Sequence, residues 1–254
     1  MDREAWKKLF DFSGRVAIVT GGTRGIGRAI AEGLVAGGAR VVVASRKADA
    51  CAETAHHLAA QGGEAIGVPT HMGDLEAVAA LARATAERFG RIVINNAATA
   101  LTQPLGRFTP DAWDKVFSVD LRGPVFLVQE ALPWLEKSSG AAVVNVISAG
   151  AFLFSTGTSM YAAAKAGLMS ITRSMAAEFA PNGIRVNALA PGTVDTDMVR
   201  ANSPEAQKVM VEACFMRRAA HPDEMVGPAL FLASDAASYV TGQVLIADGG
   251  LTPH

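Results

Sequence analysis

The sequence predicts an α/β fold, a doubly wound parallel sheet with helices on both faces, and three observations predict it. Short apolar runs rich in β-branched residues alternate with stretches of helical periodicity, the pattern of a parallel sheet built from crossover units. The first of these runs leads directly into a glycine-rich turn and then a helix. No Pro/Ser-rich linker, repeat or low-complexity tract divides the 254 residues. Half of the residues are apolar, enough to bury one large core as a single domain over 1–254.

The opening segment, Met1-Asp-Arg-Glu-Ala-Trp-Lys-Lys8, is too charged to be the apolar core of a signal peptide. Arg15-Val-Ala-Ile-Val-Thr20 reads as a buried strand. Gly21-Gly-Thr-Arg-Gly25-Ile-Gly27 follows, and Arg28 to Ala36 has helical periodicity. Strand, glycine turn and helix together cradle a pyrophosphate: glycines admit the backbone closely, and the helix N-terminus offers free amides and partial positive charge. Further strand-like runs stand at 40–44, 92–95, 142–147, 184–189 and 243–247.

Composition narrows the function classes. A net charge of -1 with no basic block argues against general nucleic-acid affinity. No uninterrupted apolar run approaches membrane-spanning length. Cys51 and Cys214 follow no metal spacing, and two lone cysteines suit a reducing cytoplasm. No metal is expected.

The chemistry-bearing pattern is Tyr161 and Lys165, four residues apart, with Ser148 thirteen residues before the tyrosine. Helix positions i and i+4 share a face, which sets an ammonium beside a phenol. A phenol titrates near pH ~10, so bringing it toward neutrality takes roughly three units, or about 4 kcal/mol. A positive charge about 4 Å away at an effective dielectric near 20 supplies about that much. A tyrosine so placed can donate or accept a proton at physiological pH.

The Thr-Gly-x-x-x-Gly-x-Gly turn with Ser148, Tyr161 and Lys165 resembles the short-chain dehydrogenase/reductase family, from about Phe12 to Gly250. Asn95-Asn-Ala-Ala98, Ile184-Arg-Val-Asn-Ala-Leu-Ala-Pro-Gly192 and Tyr239 to Gly250 resemble, in order, that family's fourth-strand end, nicotinamide loop and closing strand. The resemblance implies a Rossmann-type sheet of about seven strands and an oxidoreductase moving hydride between a nicotinamide and a ketone or secondary alcohol. Tyr161 would exchange a proton with the substrate oxygen, Ser148 would hydrogen-bond that oxygen, and Lys165 would lower the phenol's pKa and hold the nicotinamide ribose. Cofactor contacts are expected from Gly21, Thr23, Arg24, Gly25, Ile26, Gly27, Met72, Asn96, Ala97, Tyr161, Lys165, Pro191, Gly192, Val194 and Thr196, with Val194 acting through its backbone and Asn187 structural.

Cofactor preference is read at the end of the second strand. An NAD site usually places Asp or Glu there to hold the ribose 2′-hydroxyl. Ser45 stands there instead, Arg46 and Lys47 follow, and Arg24 lies in the glycine turn. Two guanidinium groups converging on a 2′-phosphate favour NADP(H) over NAD(H).

Three positions depart from the family pattern. Asp120 occupies a place where the family usually has an asparagine supporting a water-linked proton route from the lysine. A carboxylate about 6 Å from the phenol would oppose its ionisation by roughly 2–3 kcal/mol at dielectric 20. The stretch Phe89-Gly-Arg-Ile-Val-Ile-Asn95 is about two residues short, and His71 stands where an adenine-side Asp is common.

The segment at about 195–220, with Met198, Val199, Met210, Val211, Phe215 and Met216, corresponds to the family's substrate cover. Phe152-Leu153-Phe154 is expected to face the same cleft. Such side chains suit an apolar ketone or a 3-oxoacyl thioester, and the whole pattern resembles 3-oxoacyl-thioester reductases. Two other readings stay open: an NADP-binding protein with weak or lost catalysis because of Asp120, and an NAD-dependent secondary-alcohol or sugar dehydrogenase. The family's habit implies a homotetramer packed through helices near 111–137 and 159–180, with a small-molecule substrate as partner and neither nucleic acid nor membrane.

Overall fold

The computed structural model describes residues 1–89, 93–95, 101, 103–154 and 156–252. In chain order the elements are α1 (Arg3–Lys8), β1 (Val16–Thr20), α2 (Gly25–Ala36), β2 (Arg40–Ser45), α3 (Ala48–Ala60), β3 (Ala65–Pro69), α4 (Leu75–Phe89) and β4 (Val93–Asn95). Then come α5 (Pro110–Phe117), a π-helical turn (Ser118–Arg122), α6 (Gly123–Leu135), β5 (Ala142–Val146), α7 (Ser159–Phe179) and β6 (Arg185–Pro191). The last are α8 (Asp197–Arg200), α9 (Pro204–Glu212), α10 (Val226–Ala233) and β7 (Val244–Ala247).

The seven strands form one parallel sheet in the order β3-β2-β1-β4-β5-β6-β7. Alternation of side chains along each strand feeds two cores. Val16 and Ile18 of β1 join Leu127, Val128 and Ala131 of α6 on one face. Ala17 and Val19 join Ile30, Ala31 and Leu34 of α2 on the other. Burial on both faces explains the unbroken apolar runs, and each buried Val, Leu or Ile contributes roughly 1.5–3 kcal/mol. The chain reverses its winding between β1 and β4, and in open α/β sheets the crevice at that switch point, outside the strand ends, is where ligands bind.

Five of the expected strands lie within two residues of their runs, and β4 occupies the last three residues of 92–95. The strand that periodicity did not single out is β3, Ala65-Ile-Gly-Val-Pro69, whose pattern is broken by Gly67 and Pro69. Both have physical reasons. A methyl on Gly67 would lie 2.5 Å from the backbone of Cys51 in α3, so glycine lets the helix close on the sheet. Proline lacks a ladder donor, which an edge strand tolerates. The shortened entrance to β4 lies largely at residues 90–92, outside the described residues.

The expected long helix near 111–137 is one continuous run, α5, the π turn and α6. Pro124 has no N–H to give the carbonyl four residues back, that of Asp120, so the α ladder is interrupted there. Asn187 is fully buried, donating from Nδ2 to the Val240 carbonyl at 2.8 Å and accepting from the Gln243 amide at 3.0 Å. It thereby fixes the approach to β7. Asn187→Ala leaves both backbone groups unsatisfied, and a loss of about 2–3 kcal/mol is expected in urea unfolding, with cofactor affinity of the folded variant unchanged.

Candidate active site

The glycine turn is built tightly enough to exclude side chains. Gly21 and Gly25 take left-handed φ of 66° and 51°. A methyl on Gly27 would sit 2.5 Å from the Gly21 carbonyl oxygen, and one on Gly22 2.8 Å from that of Val19. The turn opens α2, twelve residues long, whose first amides point at the cleft mouth. Thr23 Oγ1 donates to Ser45 Oγ at 3.2 Å, tying the turn to the end of β2. These features fit a dinucleotide phosphate.

A cleft of about 580 Å³ runs from this turn across the strand ends. Gly21, Thr23, Arg24, Gly25, Ile26, Gly27, Ser45, Arg46, Met72, Ser148, Tyr161, Pro191, Gly192, Val194 and Thr196 all line it, and Lys165 is not among the described residues that do. Asn96 and Ala97 lie outside the described residues. The cleft wall is strongly cationic: Arg24, Arg46, Lys47 and Lys115 face one carboxylate among the described lining residues, Asp197. Lys115 and Asp197 were not anticipated. No sequence signal marked Lys115, since Val119, four residues on and also a lining residue, is placed at the cleft only by the fold. The two arginines do not simply converge, since Arg24 Nη1 is paired with Asp197 Oδ2 at 3.2 Å. His71 also lines the cleft, and its Nδ1 accepts the Gly73 amide at 3.1 Å, so a neutral ring carries its proton on Nε2.

Ser148 follows β5 and caps a short 3-10 turn, its Oγ accepting the Gly150 amide at 3.1 Å. The same hydroxyl hydrogen-bonds the Tyr161 phenol, which comes from the first turn of α7. Lys165, one helical turn later, is fully buried beneath the cleft. Its Nζ donates to the Val146 carbonyl at 3.0 Å and lies 5.7 Å from the Tyr161 ring centroid. Asp120, carried inward by the π turn, is also fully buried and acts electrostatically on both side chains.

The electrostatics correct one expectation. Burial, with Asp120 adding to it, pushes the Tyr161 phenol up to about 12, and the Ser148 hydrogen bond pulls the other way. Lys165 does not bring it toward neutrality. Burial holds Lys165 below the usual lysine range, and Asp120 pushes it back up. Desolvation is the largest influence on the phenol, and the Asp120 carboxylate acts in the same direction. A phenol that keeps its proton, hydrogen-bonded to a hydroxyl at a cleft wall, is equipped to donate it.

On the substrate side, Met198 and Val199 line the cleft, whereas Met210, Val211, Phe215 and Met216 do not. The Met216 amide donates to the Gly249 carbonyl at 3.0 Å, and Phe215 lies against Gly250, which draws this corner outward onto the C-terminal tail. Phe152–Phe154 also turn away. Phe152 packs against the cluster of Ile147 and Leu168, and Phe154 is 97% exposed. Among the described residues no helix is long and apolar enough to cross a membrane, and no group of three metal-binding side chains occurs. Cys51 and Cys214 are buried free thiols.

Comparison with known proteins agrees with this geometry. A family model described as enoyl-(acyl carrier protein) reductase matches residues 21–252. The rhamnolipids biosynthesis 3-oxoacyl-[acyl-carrier-protein] reductase of Pseudomonas aeruginosa is 36% identical over 250 residues, 95% of this chain and 97% of that protein. The cis-4-hydroxycyclohexanecarboxylate dehydrogenase of Sinomonas cyclohexanicum is 38% identical over 244 residues, 95% and 98% of the two chains. A gluconate 5-dehydrogenase from Burkholderia cenocepacia, solved with NADP and tartrate, superposes with a TM-score of 0.93 at 31% identity, covering 98% of this chain and 99% of that one. The chain therefore belongs to the short-chain dehydrogenase/reductase family and is a nicotinamide-cofactor-dependent oxidoreductase.

Proposed function

We propose that this chain is an NADP(H)-dependent reductase of an apolar ketone or 3-oxoacyl thioester, working as one domain in a cytoplasmic homotetramer. The observation that carries the reading is the Ser148–Tyr161 pair on the cleft wall, with its phenol pushed up to about 12. A phenol that holds its proton can give it to a carbonyl oxygen as hydride arrives, and the same group takes it back in the reverse reaction. Bound nicotinamide supplies the hydride. Tyr161 then gives its proton to the substrate oxygen, and Ser148 holds that oxygen in place. Lys165 lies beneath Tyr161, its ammonium held by the Val146 carbonyl.

NADP is favoured over NAD by the cleft's charge. Ser45, Arg46 and Lys47 surround the end of β2 with no acid among them, and Arg24 and Lys115 add to the cationic wall. Such a wall suits a third phosphate, and Arg suits its forked recognition. NADP stands in the description of the Burkholderia structure, and 3-oxoacyl-[acyl-carrier-protein] reduction in that of the Pseudomonas relative.

NADPH consumption against a panel of ketones and 3-oxoacyl thioesters tests the reading. Turnover by the unmodified chain should fall about 10²–10⁴-fold in Tyr161→Phe, the range for loss of a positioned acid. NADPH binding without turnover on any member would favour a cofactor-binding protein silenced by Asp120. Arg46→Ala is expected to raise the KM for NADPH by roughly 10-fold or more, the worth of a charge-assisted hydrogen bond, and to leave that for NADH unchanged. The pH dependence has a definite sign. Alcohol oxidation needs phenolate, so its rate should climb on the alkaline side while reduction stays level through neutrality. Asp120→Asn removes a charge that raises the phenol's pKa, so the alkaline limb of oxidation should move to lower pH. An unmoved limb would mean that Asp120 does not act on Tyr161 during turnover.

A further inference from the structure

Two contacts join the walls of the cleft at its mouth. One is the ion pair between Arg24, in the glycine turn, and Asp197, at the start of α8. The other is steric: Thr196 Cγ2 lies 3.1 Å from where a methyl on Gly25 would stand. Together they bring the segment 196–200 down onto the turn. Behind it the chain is fixed, because Val194 bridges Ala220, and the Asp195 amide donates to the Ala220 carbonyl at 2.9 Å. Residues 196–200 therefore form a strap held at its base by Asp195 and at its far end by Gln207, which donates to the Arg200 carbonyl at 3.3 Å, with the Arg24–Asp197 pair as its ionic fastening to the glycine turn.

The fastening has few competitors. Arg200, the other cation near Asp197, approaches it only to 4.0 Å and is itself committed to Asp195 by two hydrogen bonds of 2.7 and 3.0 Å. Asp197 is thus the anion that occupies Arg24, and it does so where the amides of α2 and the cations of the wall invite phosphate. The Thr23–Ser45 hydrogen bond ties the residue before Arg24 to the end of β2, the side on which Arg46 and Lys47 stand.

We infer that Asp197 is a surrogate anion, holding Arg24 across the cleft mouth until the 2′-phosphate of NADP takes its place and releases the strap. The inference rests on the NADP reading above. The displacement moves no covalent bond: the guanidinium exchanges a monovalent carboxylate for a phosphate of higher charge, and the freed carboxylate is repelled outward by it. NAD, which lacks that phosphate, leaves the pair in place. Asp197 is a positioning residue, acting on the cofactor through Arg24. It also sets a cost on NADP binding, since the pair has to open first. Exposed ion pairs contribute about 0.2–1 kcal/mol, which corresponds to an affinity change of up to about 5-fold.

The test is direct binding to the full chain by calorimetry, with NADPH, NADH and 2′,5′-ADP as probes. Asp197→Asn should tighten NADPH and 2′,5′-ADP by about 2–5-fold and leave NADH unchanged. Asp197→Glu should stay near the unmodified chain, and the gain should shrink as salt screens the pair. In an Arg24→Ala background Asp197→Asn should have no effect, the signature of two residues acting as one unit. An equal gain for NADH, a gain that survives without Arg24, or weaker NADPH binding in Asp197→Asn would overturn the inference. A separate result bears on the reading beneath it. If the unmodified chain binds NADH as tightly as NADPH and ignores 2′,5′-ADP, the NADP assignment fails first; if the preference holds and Asp197→Asn changes nothing, only the strap fails.

Discussion

An ammonium with no exposure to solvent is the constraint around which the site is organised. Burying Lys165 costs several kcal/mol unless its charge and its protons are matched. The Val146 carbonyl is in reach because β5 ends there, and it accepts from Nζ at 3.0 Å. The charge is matched by Asp120, which reaches the interior because the long helix is interrupted at the π turn. Pro124 makes that interruption unavoidable, and Gly123 permits it, since a side chain there would run into the Met72 carbonyl. A backbone irregularity in one helix thus balances a charge in another. The phenol above the pair is held protonated by burial and by Asp120, and the Ser148 hydroxyl pulls the other way.

The same balance gives the cleft a gradient. Its mouth carries the amides of α2 and four cations opposed by one carboxylate among the described lining residues, while its inner wall at Ser148 and Tyr161 rests on the buried pair of Lys165 and Asp120. Electrostatic preorganisation of this kind does not need to move when a ligand arrives. A dinucleotide is drawn phosphate-first to the mouth, and its uncharged end is left facing the phenol. The strap at residues 196–200 lies over the boundary between these regions, so its position bears on cofactor and substrate alike.

Much of this was legible in the sequence because it depends on local geometry. Four-residue spacing puts Tyr161 and Lys165 on one face of a helix whatever surrounds them, and strand-glycine-helix succession can build only a tight turn. The third strand was less legible, since Gly67 and Pro69 answer to the approach of α3 and to an edge position, neither of which leaves a periodicity. Spacing alone also could not show how Lys165 bears on Tyr161. That depends on a carbonyl nineteen residues away and on a carboxylate from another helix. The aromatic run Phe152–Phe154 misled for a related reason: its composition suits a pocket, but Phe152 found partners in Ile147 and Leu168, behind the cleft wall.

The substrate side follows a different logic from the cofactor side. Most of the polar groups that line the cleft sit on strand ends, a helix start or a hydrogen-bonded turn, whereas the apolar lining side chains Met198 and Val199 belong to α8. Phe215 and Met216, which composition would assign to the pocket, are held outside by the C-terminal tail. A pocket whose apolar wall is a four-residue helix can be reshaped with little disturbance to the core, because α8 buries no side chain of its own. Relatives matching this chain over nearly its full length carry descriptions as different as 3-oxoacyl-[acyl-carrier-protein] reductase and cis-4-hydroxycyclohexanecarboxylate dehydrogenase. The shared fold goes with a shared nicotinamide chemistry, while what each protein acts on is settled by its site and not by the fold.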